Sequence, residues 1–230
     1  MLKNHLNIKE MKETTIMING SPFTYLDHRG DPYIFPKMNH QDMDEILKLS
    51  SKLLEECGIS FTLAFGTLLG AVREGNFIKN DDDVDIIVTD EEKLYNSLPY
   101  LWEKGLYINR IFKTALYTFH AEGINGHIDM YILRPIDNWF YKNWCVCIRE
   151  YYTPKRFFQG VDNENYFIGD KNYPCPENPE KLLAWWYGKS WRIPQSRKAT
   201  LDVLVRRIWK FPRKYWRKGK RFITKKFGKG

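Results

Sequence analysis

The chain has 230 residues and a formal net charge of +8, with 43% hydrophobic and 16% aromatic residues, enough to supply a core of ordinary size. No apolar run approaches the roughly 18 residues that a membrane-spanning helix requires, which argues against such a helix. Residues 1–6 lack the apolar block of a signal peptide, so we expect a cytoplasmic protein.

The positive charge is concentrated at one end of the chain. Residues 197–230 hold 14 Lys and Arg and a single acid, whereas the remainder holds 22 basic and 27 acidic residues. We therefore expect three parts: an N-terminal extension over residues 1–36, a central domain over residues 37–196 and a basic amphipathic tail over residues 197–230.

The four cysteines are predicted to be reduced, structural thiols. The chain is long and shows no secretion signal, which argues against a disulfide framework. Two of the cysteines form a C-x-C pair rather than the C-x-x-C of zinc or redox sites. The cysteines are Cys57, Cys145, Cys147 and Cys175.

The first well-defined element is a helix. Before it, residues 25–32 are predicted to turn between two short strands. The helix is predicted to have Asn39 as its N-terminal cap and Gly58 as its C-terminal stop, because apolar residues recur at helical spacing between them.

A strand, a glycine turn and a short helix come next. Residues 59–65 alternate and are rich in strand formers, and residues 68–73 are predicted to form a short helix. Gly66 and Thr67 lie between them, where the free N–H groups of a helix N-terminus can hold a phosphate. The alternative is an ordinary tight turn.

An acidic run follows, in which four of the residues 81–85 are aspartate. Such a run is usually a solvated turn, but Asp85 lies in the apolar stretch 84–88, where an unpaired charge is costly to bury. In an extended strand, Asp83 and Asp85 point to the same face, about 6–7 Å apart. Like charges at that spacing indicate a bound cation, and carboxylates commonly hold Mg²⁺ together with waters and phosphates.

The following elements add a third carboxylate. A helix is predicted from Asp90 to about Lys104, with Pro99 kinking or shortening it. After two strands and a glycine turn, Asp129 alternates with apolar neighbours in a further strand. The strands are predicted over residues 106–112, 115–121 and 127–133, and the turn over residues 123–126.

Three carboxylates on neighbouring strands beside a glycine turn form a two-metal arrangement that can align a diphosphate or a triphosphate. This order of elements is similar to that of the nucleotidyltransferase fold. We therefore expect an α/β (α+β) fold with a nucleotidyltransferase-like mixed β-sheet, flanking helices, a helical C-terminal part and the basic tail.

Three consecutive motifs carry a closer resemblance. Residues 66–73 read Gly-Thr-Leu-Leu-Gly-Ala-Val-Arg, residues 75–78 read Gly-Asn-Phe-Ile, and residues 81–86 read Asp-Asp-Asp-Val-Asp-Ile. They resemble the signature of the LicD family, which includes bacterial phosphocholine transferases and fukutin-related phosphoribitol transferases. A second block over residues 173–194 resembles the C-terminal segment of that family, so the resemblance covers roughly residues 40–194.

The resemblance implies metal-dependent transfer of phosphocholine or a similar phospho-substituent from a CDP-activated donor, with release of CMP. The acceptor would be a hydroxyl of a cell-surface glycan of the lipopolysaccharide, teichoic acid or capsule type, which could be lipid-linked. The resemblance also implies that Asp83 and Asp85 bind Mg²⁺ or Mn²⁺, and that Asp129 is a third ligand or the base for the acceptor hydroxyl. Gly66 and Thr67 would face the donor phosphates.

Several other residues near these motifs have two interpretations each. Arg73 and Lys79 could neutralise phosphate charge or could be solvated surface cations. His127 could share the face of Asp129 as a catalytic group, although a single histidine near a strand end is more often packed. Two further aspartates could orient Asp83 or cap the turn, namely Asp81 and Asp82.

The tail bears on location and on alternative functions. Residues 197–230 interleave basic with aromatic and aliphatic residues, which is typical of a helix at an anionic membrane surface, and a solvated tail is the alternative. We expect a cytoplasmic enzyme bound peripherally to the inner face of the cell membrane, with nucleic acid unlikely as a partner. The alternatives are a nucleotidyltransferase of the same fold and a non-catalytic protein that binds membrane or nucleic acid through this tail.

Overall fold

The computed structural model describes residues 11–28, 37–79, 81–112, 115–136, 143–147, 151–158 and 164–194. The tail predicted at residues 197–230 lies outside this part of the chain. The helices of the described part are α1 (His40–Glu56), α2 (Phe65–Glu74), α3 (Glu91–Glu103) and α4 (Pro179–Tyr187). Its strands are β1 (Met11–Ile18), β2 (Ser21–His28), β3 (Phe61–Leu63), β4 (Val84–Val88), β5 (Leu106–Phe112), β6 (Leu116–Ala121), β7 (Ile128–Ile132), β8 (Arg134–Pro135), β9 (Trp144–Cys147), β10 (Tyr151–Pro154), β11 (Glu164–Ile168) and β12 (Lys171–Cys175).

A five-stranded mixed sheet forms the centre of the described part. Its strand order is β3-β4-β7-β6-β5, with β4 and β7 parallel and the other neighbours antiparallel. Smaller antiparallel sheets are formed by β1 with β2, by β8 with β9 and β10, and by β11 with β12. The strands predicted after α3 are confirmed to within one residue at each end. The predicted α/β architecture with a mixed sheet is therefore confirmed.

Local side-chain contacts set the ends of α1. The side chain of Asn39 accepts the N–H of Asp42 at 2.9 Å, and the side chain of Asp42 accepts the N–H of Asn39 at 3.3 Å. Gly58 follows the last helical residue, Glu56, in the left-handed region with a φ of 62°. Both predicted ends of this helix are confirmed.

The helix predicted from Asp90 to about Lys104 is confirmed, and Pro99 lies inside it. Of the two effects predicted for Pro99, the shortening is therefore wrong and the kink stays a prediction. The helix begins after Asp90, whose side chain accepts the N–H of Lys93 at 2.9 Å, and it continues to Glu103. Burial of three leucines along one face outweighs the roughly 3 kcal/mol that a proline costs inside a helix. They are Leu94, Leu98 and Leu101.

The turn predicted over residues 25–32 is wrong over residues 25–28, because β2 continues through His28, and residues 29–32 lie outside the described part of the chain. The chain reverses earlier, at Asn19 and Gly20, whose φ angles are 50° and 81°. An Asn-Gly pair favours a two-residue hairpin, since both central positions of a type I′ turn need positive φ. The strands β1 and β2 pair regularly around it.

The helix α2 begins at Phe65, three residues earlier than predicted, and the strand before it is only Phe61–Leu63. A long-range contact is the cause. The N–H of Ala64 donates to the carbonyl of Asp85 at 3.1 Å, and Phe65 then takes a φ of 40° to start the helix. The two residues assigned to a preceding turn lie instead in the first turn of α2, and they are Gly66 and Thr67.

Two further expectations concern the core and the membrane. The four cysteines are free thiols, as predicted, and three of them are buried. All five residues of β4 are buried, which agrees with the apolar pattern around Asp85, and β4 contacts both α1 and α2. No helix in the described ranges is long and apolar enough to cross a membrane.

Candidate active site

Four side chains line up across the central sheet, and we call them the polar row. In the parallel pair of β4 and β7, Asp85 lies beside Asp129. In the antiparallel pairs that follow, Asp129 lies beside Thr118, and Thr118 lies beside Arg110. Directly paired residues point to the same face of a sheet. The polar row therefore places two carboxylates, a hydroxyl and a guanidinium side by side.

A second set of residues lies where β4 and β7 begin. Asp83, His127 and Asp129 each bring one ligand atom to within 4.8 Å of the others, and we call them the ligand group. The strand β4 begins at Val84, so Asp83 lies just before the strand that was predicted to carry it. The N–H of Val84 donates to the carbonyl of His127 at 3.4 Å, which holds the two strand beginnings together.

Asp85 is buried, with 6% of its surface exposed, and its carboxylate is only partly satisfied. Its Oδ2 accepts the N–H of Gly66 at 3.3 Å, whereas Oδ1 is buried without a hydrogen-bond partner among the described residues. Burial raises the pKa of Asp85 well above its usual range, and the charges of three neighbouring aspartates raise it further. These neighbours are Asp83, Asp129 and Asp81.

Asp129 is oriented by its neighbour in the polar row. Its Oδ1 accepts the hydroxyl hydrogen of Thr118 at 2.6 Å. Burial raises the pKa of Asp129 to about 6. The hydrogen bond from Thr118, the charge of Arg110 and a hydrogen bond from Tyr131 act in the opposite direction. Asp129 is thus a half-buried carboxylate whose charged form is supported by a hydroxyl and a nearby cation.

Burial favours the neutral form of His127, which is the form that binds metals. The residue is 8% exposed, and burial lowers the pKa of its imidazole, while the charges of Asp83 and Asp82 act against this shift. The sequence suggested a packed or a catalytic role for this residue. The structure instead adds its ring to the ligand group.

These donors fit a divalent cation. The ligand group combines two carboxylates with an imidazole, and the buried Oδ1 of Asp85 lacks a partner within the described part of the chain. Carboxylate oxygens are the ligands that Mg²⁺ and Mn²⁺ prefer, and imidazole adds a nitrogen ligand. A neighbouring set of carboxylates, whose ligand atoms also lie within 4.8 Å of one another, extends this acidic surface. It consists of Asp81, Asp82 and Asp83.

The first turn of α2 contacts these aspartates directly. The N–H of Gly66 donates to the carboxylate of Asp85, and the hydroxyl of Thr67 accepts the backbone N–H of Asp85 at 2.8 Å. Thr67 is 1% exposed. A Cβ at position 66 would lie 2.6 Å from Oδ2 of Asp81, so a larger residue would displace that carboxylate. The two residues predicted to face the donor phosphates therefore also hold the acidic residues.

Thr67→Val is expected to lower the free energy of unfolding by about 1–3 kcal/mol, because the buried N–H of Asp85 loses its acceptor. It should also weaken divalent-metal binding, since Asp85 is then less firmly held. Thr67→Ser keeps the hydroxyl and is the matched control. Chemical denaturation and metal titration check both effects. A valine variant with wild-type stability and metal affinity would contradict the role of this hydrogen bond.

The two cations predicted to bind phosphate lie outside the polar row. Arg73 is in the last turn of α2, about 10 Å along the helix axis from Gly66, and its Nε donates to Glu74 at 3.0 Å. Lys79 is exposed, between α2 and the acidic run. Their predicted contact with donor phosphates stays a prediction.

The cation of the polar row is Arg110, which the sequence did not indicate. One extra residue in β5 shifts its pairing with β6, so that Arg110 rather than Asn109 lies opposite Thr118. Regular alternation would have placed Arg110 on the other face of the sheet. A bulge of this kind has no signature in the hydrophobic pattern, so the sequence carried no signal for this residue.

The sequence matches one family over most of the region described above. Residues 58–178 match the family described as LicD/FKTN/FKRP, nucleotidyltransferase domain. This span contains the ligand group, the polar row and the first turn of α2.

The chain is also similar to individual proteins, with sequence identities of 30% or less. The uncharacterized protein RT0683 of Rickettsia typhi (strain ATCC VR-144 / Wilmington) is 30% identical over 146 residues, or 58% of this chain and 45% of that protein, so the chain spans less than half of this relative. The solution structure of the antibiotic-resistance factor ANT(2'')-Ia has 12% identity and a TM-score of 0.49, over 80% of this chain and 98% of that one. The crystal structure of ANT(2'')-Ia in complex with adenylyl-2''-tobramycin has 11% identity and a TM-score of 0.45, over 72% of this chain and 86% of that one. Because the family match covers more than half of the chain and includes the whole ligand group, this protein belongs to the LicD family.

Proposed function

We propose that this protein is a metal-dependent transferase that moves phosphocholine or a similar phospho-substituent from a CDP-activated donor to a hydroxyl of a cell-surface glycan. The observation that supports it most is the ligand group, whose three donor atoms lie within 4.8 Å of one another inside a LicD domain. Membership of the family supports a transferase activity. The donor, the acceptor and the metal are the proposed part.

Each residue of the site has a separate role in this proposal. Asp83 and Asp85 hold Mg²⁺ or Mn²⁺, with His127 as a further ligand. A cation bound there neutralises charge on the donor diphosphate and on the leaving group. Asp129 either binds the metal as a third ligand or acts as the base that accepts the proton of the acceptor hydroxyl. Gly66 fixes Asp85, and Gly66 and Thr67, in the first turn of α2, face the donor phosphates.

The reaction forms one phosphorus–oxygen bond and breaks another. The oxygen of the acceptor hydroxyl attacks the phosphorus that carries the substituent, and the bond from that phosphorus to the bridging oxygen of the diphosphate breaks. CMP leaves with the bridging oxygen. The hydroxyl proton passes to a carboxylate or to water, and Asp129, oriented by Thr118, is the carboxylate placed to accept it.

Turnover with defined donors tests this function. CDP-choline and CDP-ribitol are incubated with glycan acceptors in Mg²⁺ or Mn²⁺, and both CMP and the modified acceptor are measured. We expect CMP release that requires the metal and is matched by a phospho-substituent on the acceptor. Transfer from CTP or ATP that leaves the nucleotide on the acceptor would identify a nucleotidyltransferase instead. No transfer from any CDP-activated donor with either metal would contradict the proposal.

The basic tail is proposed to bring the enzyme to the cytoplasmic face of the membrane, where a lipid-linked glycan would be presented. Its support is the sequence of residues 197–230, in which 14 Lys and Arg alternate with aromatic and aliphatic residues. Deleting these residues is expected to abolish co-sedimentation with vesicles that contain anionic lipid. Vesicles of neutral lipid are the control. A truncated protein that still sediments with anionic vesicles would contradict this role.

A further inference from the structure

The cation of the polar row, Arg110, forms no salt bridge with a carboxylate in the described part of the chain. Arg110 is half-buried, and its guanidinium lies over the ring of Phe112, 4.8 Å from the ring centroid. This guanidinium forms no hydrogen bond and no salt bridge with any described residue. Three of the other arginines in the described ranges are paired with glutamates, and the pairs are Arg73 with Glu74, Arg134 with Glu91 and Arg192 with Glu180.

The irregularity of β5 aims this guanidinium at the carboxylates. The pairing skips Asn109 and sets Arg110 opposite Thr118. Without the extra residue, Arg110 would lie opposite Tyr117, on the apolar face, where Tyr117 is 1% exposed. The side chain of Asn109 in turn bonds to the ring of His120, which fixes the bulge. Bulges are frequent beside active sites, where they redirect a side chain.

The position of Arg110 places positive charge across one strand from the ligand group. Adjacent strands lie about 4.8 Å apart, so the backbones of Arg110 and Asp129 are about 10 Å apart across β6. The space between the guanidinium and the ligand group is therefore flanked by a cation on one side and by metal ligands on the other.

A purely structural role would be to neutralise the buried carboxylates. An arginine with that role forms a direct ion pair, since an uncompensated buried charge is costly and a guanidinium binds a carboxylate through two parallel hydrogen bonds. Arg110 makes no such pair with the described residues, and its contact with the ring of Phe112 leaves its N–H donors available. An anion that enters the site would supply the missing acceptors.

We propose that Arg110 binds the phosphate oxygens of the donor diphosphate, on the side of the site opposite the metal ligands. The inference rests on the proposed function in one respect, because it requires a diphosphate at this site. The planar guanidinium suits two adjacent phosphate oxygens. Arg110 contacts the donor and not the metal. Removing its side chain should therefore weaken the binding of a diphosphate without weakening the binding of the metal.

Calorimetry with inorganic pyrophosphate tests this assignment. Wild type, Arg110→Met and Arg110→Gln are titrated with pyrophosphate in Mg²⁺, and separately with Mg²⁺ alone. Both variants are expected to bind pyrophosphate about 10- to 100-fold more weakly, the range for a lost hydrogen bond to a charged group. Their affinity for Mg²⁺ alone should stay equal or rise, because a neighbouring positive charge has been removed. Loss of a merely structural arginine would instead weaken the binding of both pyrophosphate and Mg²⁺.

Arg156→Met is the matched control. The guanidinium of Arg156 also lies over a phenylalanine ring, 5.2 Å from the centroid of Phe157, but it is exposed and outside the polar row. This variant should bind pyrophosphate as wild type does. Unchanged pyrophosphate affinity in whichever Arg110 variant folds would overturn the inference, and so would a wild-type protein that does not bind pyrophosphate in Mg²⁺.

Pyrophosphate contains neither cytidine nor the transferred substituent, so the two proposals can fail separately. Pyrophosphate binding that depends on Arg110, without turnover of any CDP-activated donor, would support this inference and contradict the proposed function. Turnover of such a donor by Arg110→Met with wild-type kcat and KM would overturn this inference alone.

Discussion

Asp83→Asn is expected to lower turnover about 1,000-fold or more while leaving the fold intact. Asp83 brings a ligand atom to within 4.8 Å of those of His127 and Asp129, and an amide preserves its shape but not its charge. Loss of a metal ligand removes several kcal/mol of charge stabilisation in phosphoryl transfer, and each 1.4 kcal/mol is about tenfold in rate. Steady-state assays with a CDP-activated donor at high Mg²⁺ measure the effect.

The same substitution at an exposed aspartate is the control. The side chain of Asp170 is 87% exposed and pairs with Lys48, so Asp170→Asn should retain the wild-type rate and metal affinity. Thermal melts of both variants establish that they fold. Turnover near the wild-type rate in Asp83→Asn would refute the assignment of Asp83 as a metal ligand.

Asp85→Asn is expected to stabilise the metal-free protein although it abolishes turnover. The wild-type carboxylate is buried near Asp83 and Asp129, and its Oδ1 has no partner among the residues that the structure describes. In a chelator, removing this charge should raise the free energy of unfolding by about 1–3 kcal/mol, with a rise in Tm of about 2–4 °C per kcal/mol. Burial raises the pKa of Asp85, so the folded state binds its proton more tightly than the unfolded state does. The chelated wild type should therefore lose stability as pH rises above about 4, the ordinary pKa of an aspartate.

Divalent metal should reverse this order of stability. A cation that binds only the folded state stabilises the wild type in proportion to its affinity, whereas the asparagine variant has lost a ligand. Thermal melts of both proteins in EDTA and in Mg²⁺ give the comparison. If the variant were no more stable than the wild type in EDTA, the carboxylate of Asp85 would be satisfied by the protein alone and the case for a cation there would fail.

The elements that could be predicted from the sequence are those with local causes. Asn39 and Asp90 each bond to an N–H three residues ahead, so both caps are visible in a short stretch of sequence. The alternation around Asp85 and Asp129 likewise indicates two strands. The resemblance to the nucleotidyltransferase fold implied that the two carboxylates lie on neighbouring strands. The parallel pairing of β4 and β7, which sets them side by side, comes from the structure.

The features that could not be predicted depend on contacts between distant residues. The start of α2 is set by the bond from Ala64 to Asp85, and the position of Gly66 by its approach to Asp81. Arg110 is the clearest case, because a one-residue shift in pairing between β5 and β6 decides which face it occupies. A sequence pattern with a period of two cannot record where that period is interrupted.

Calorimetry of the wild-type protein with CDP-choline and CDP-ribitol, each with and without Mg²⁺, tests the central claim most directly. We predict that at least one of these donors binds only when the metal is present, and that Asp83→Asn abolishes this binding. Binding that does not depend on metal, or binding of CTP and ATP with no binding of either CDP-activated donor, would contradict the claim.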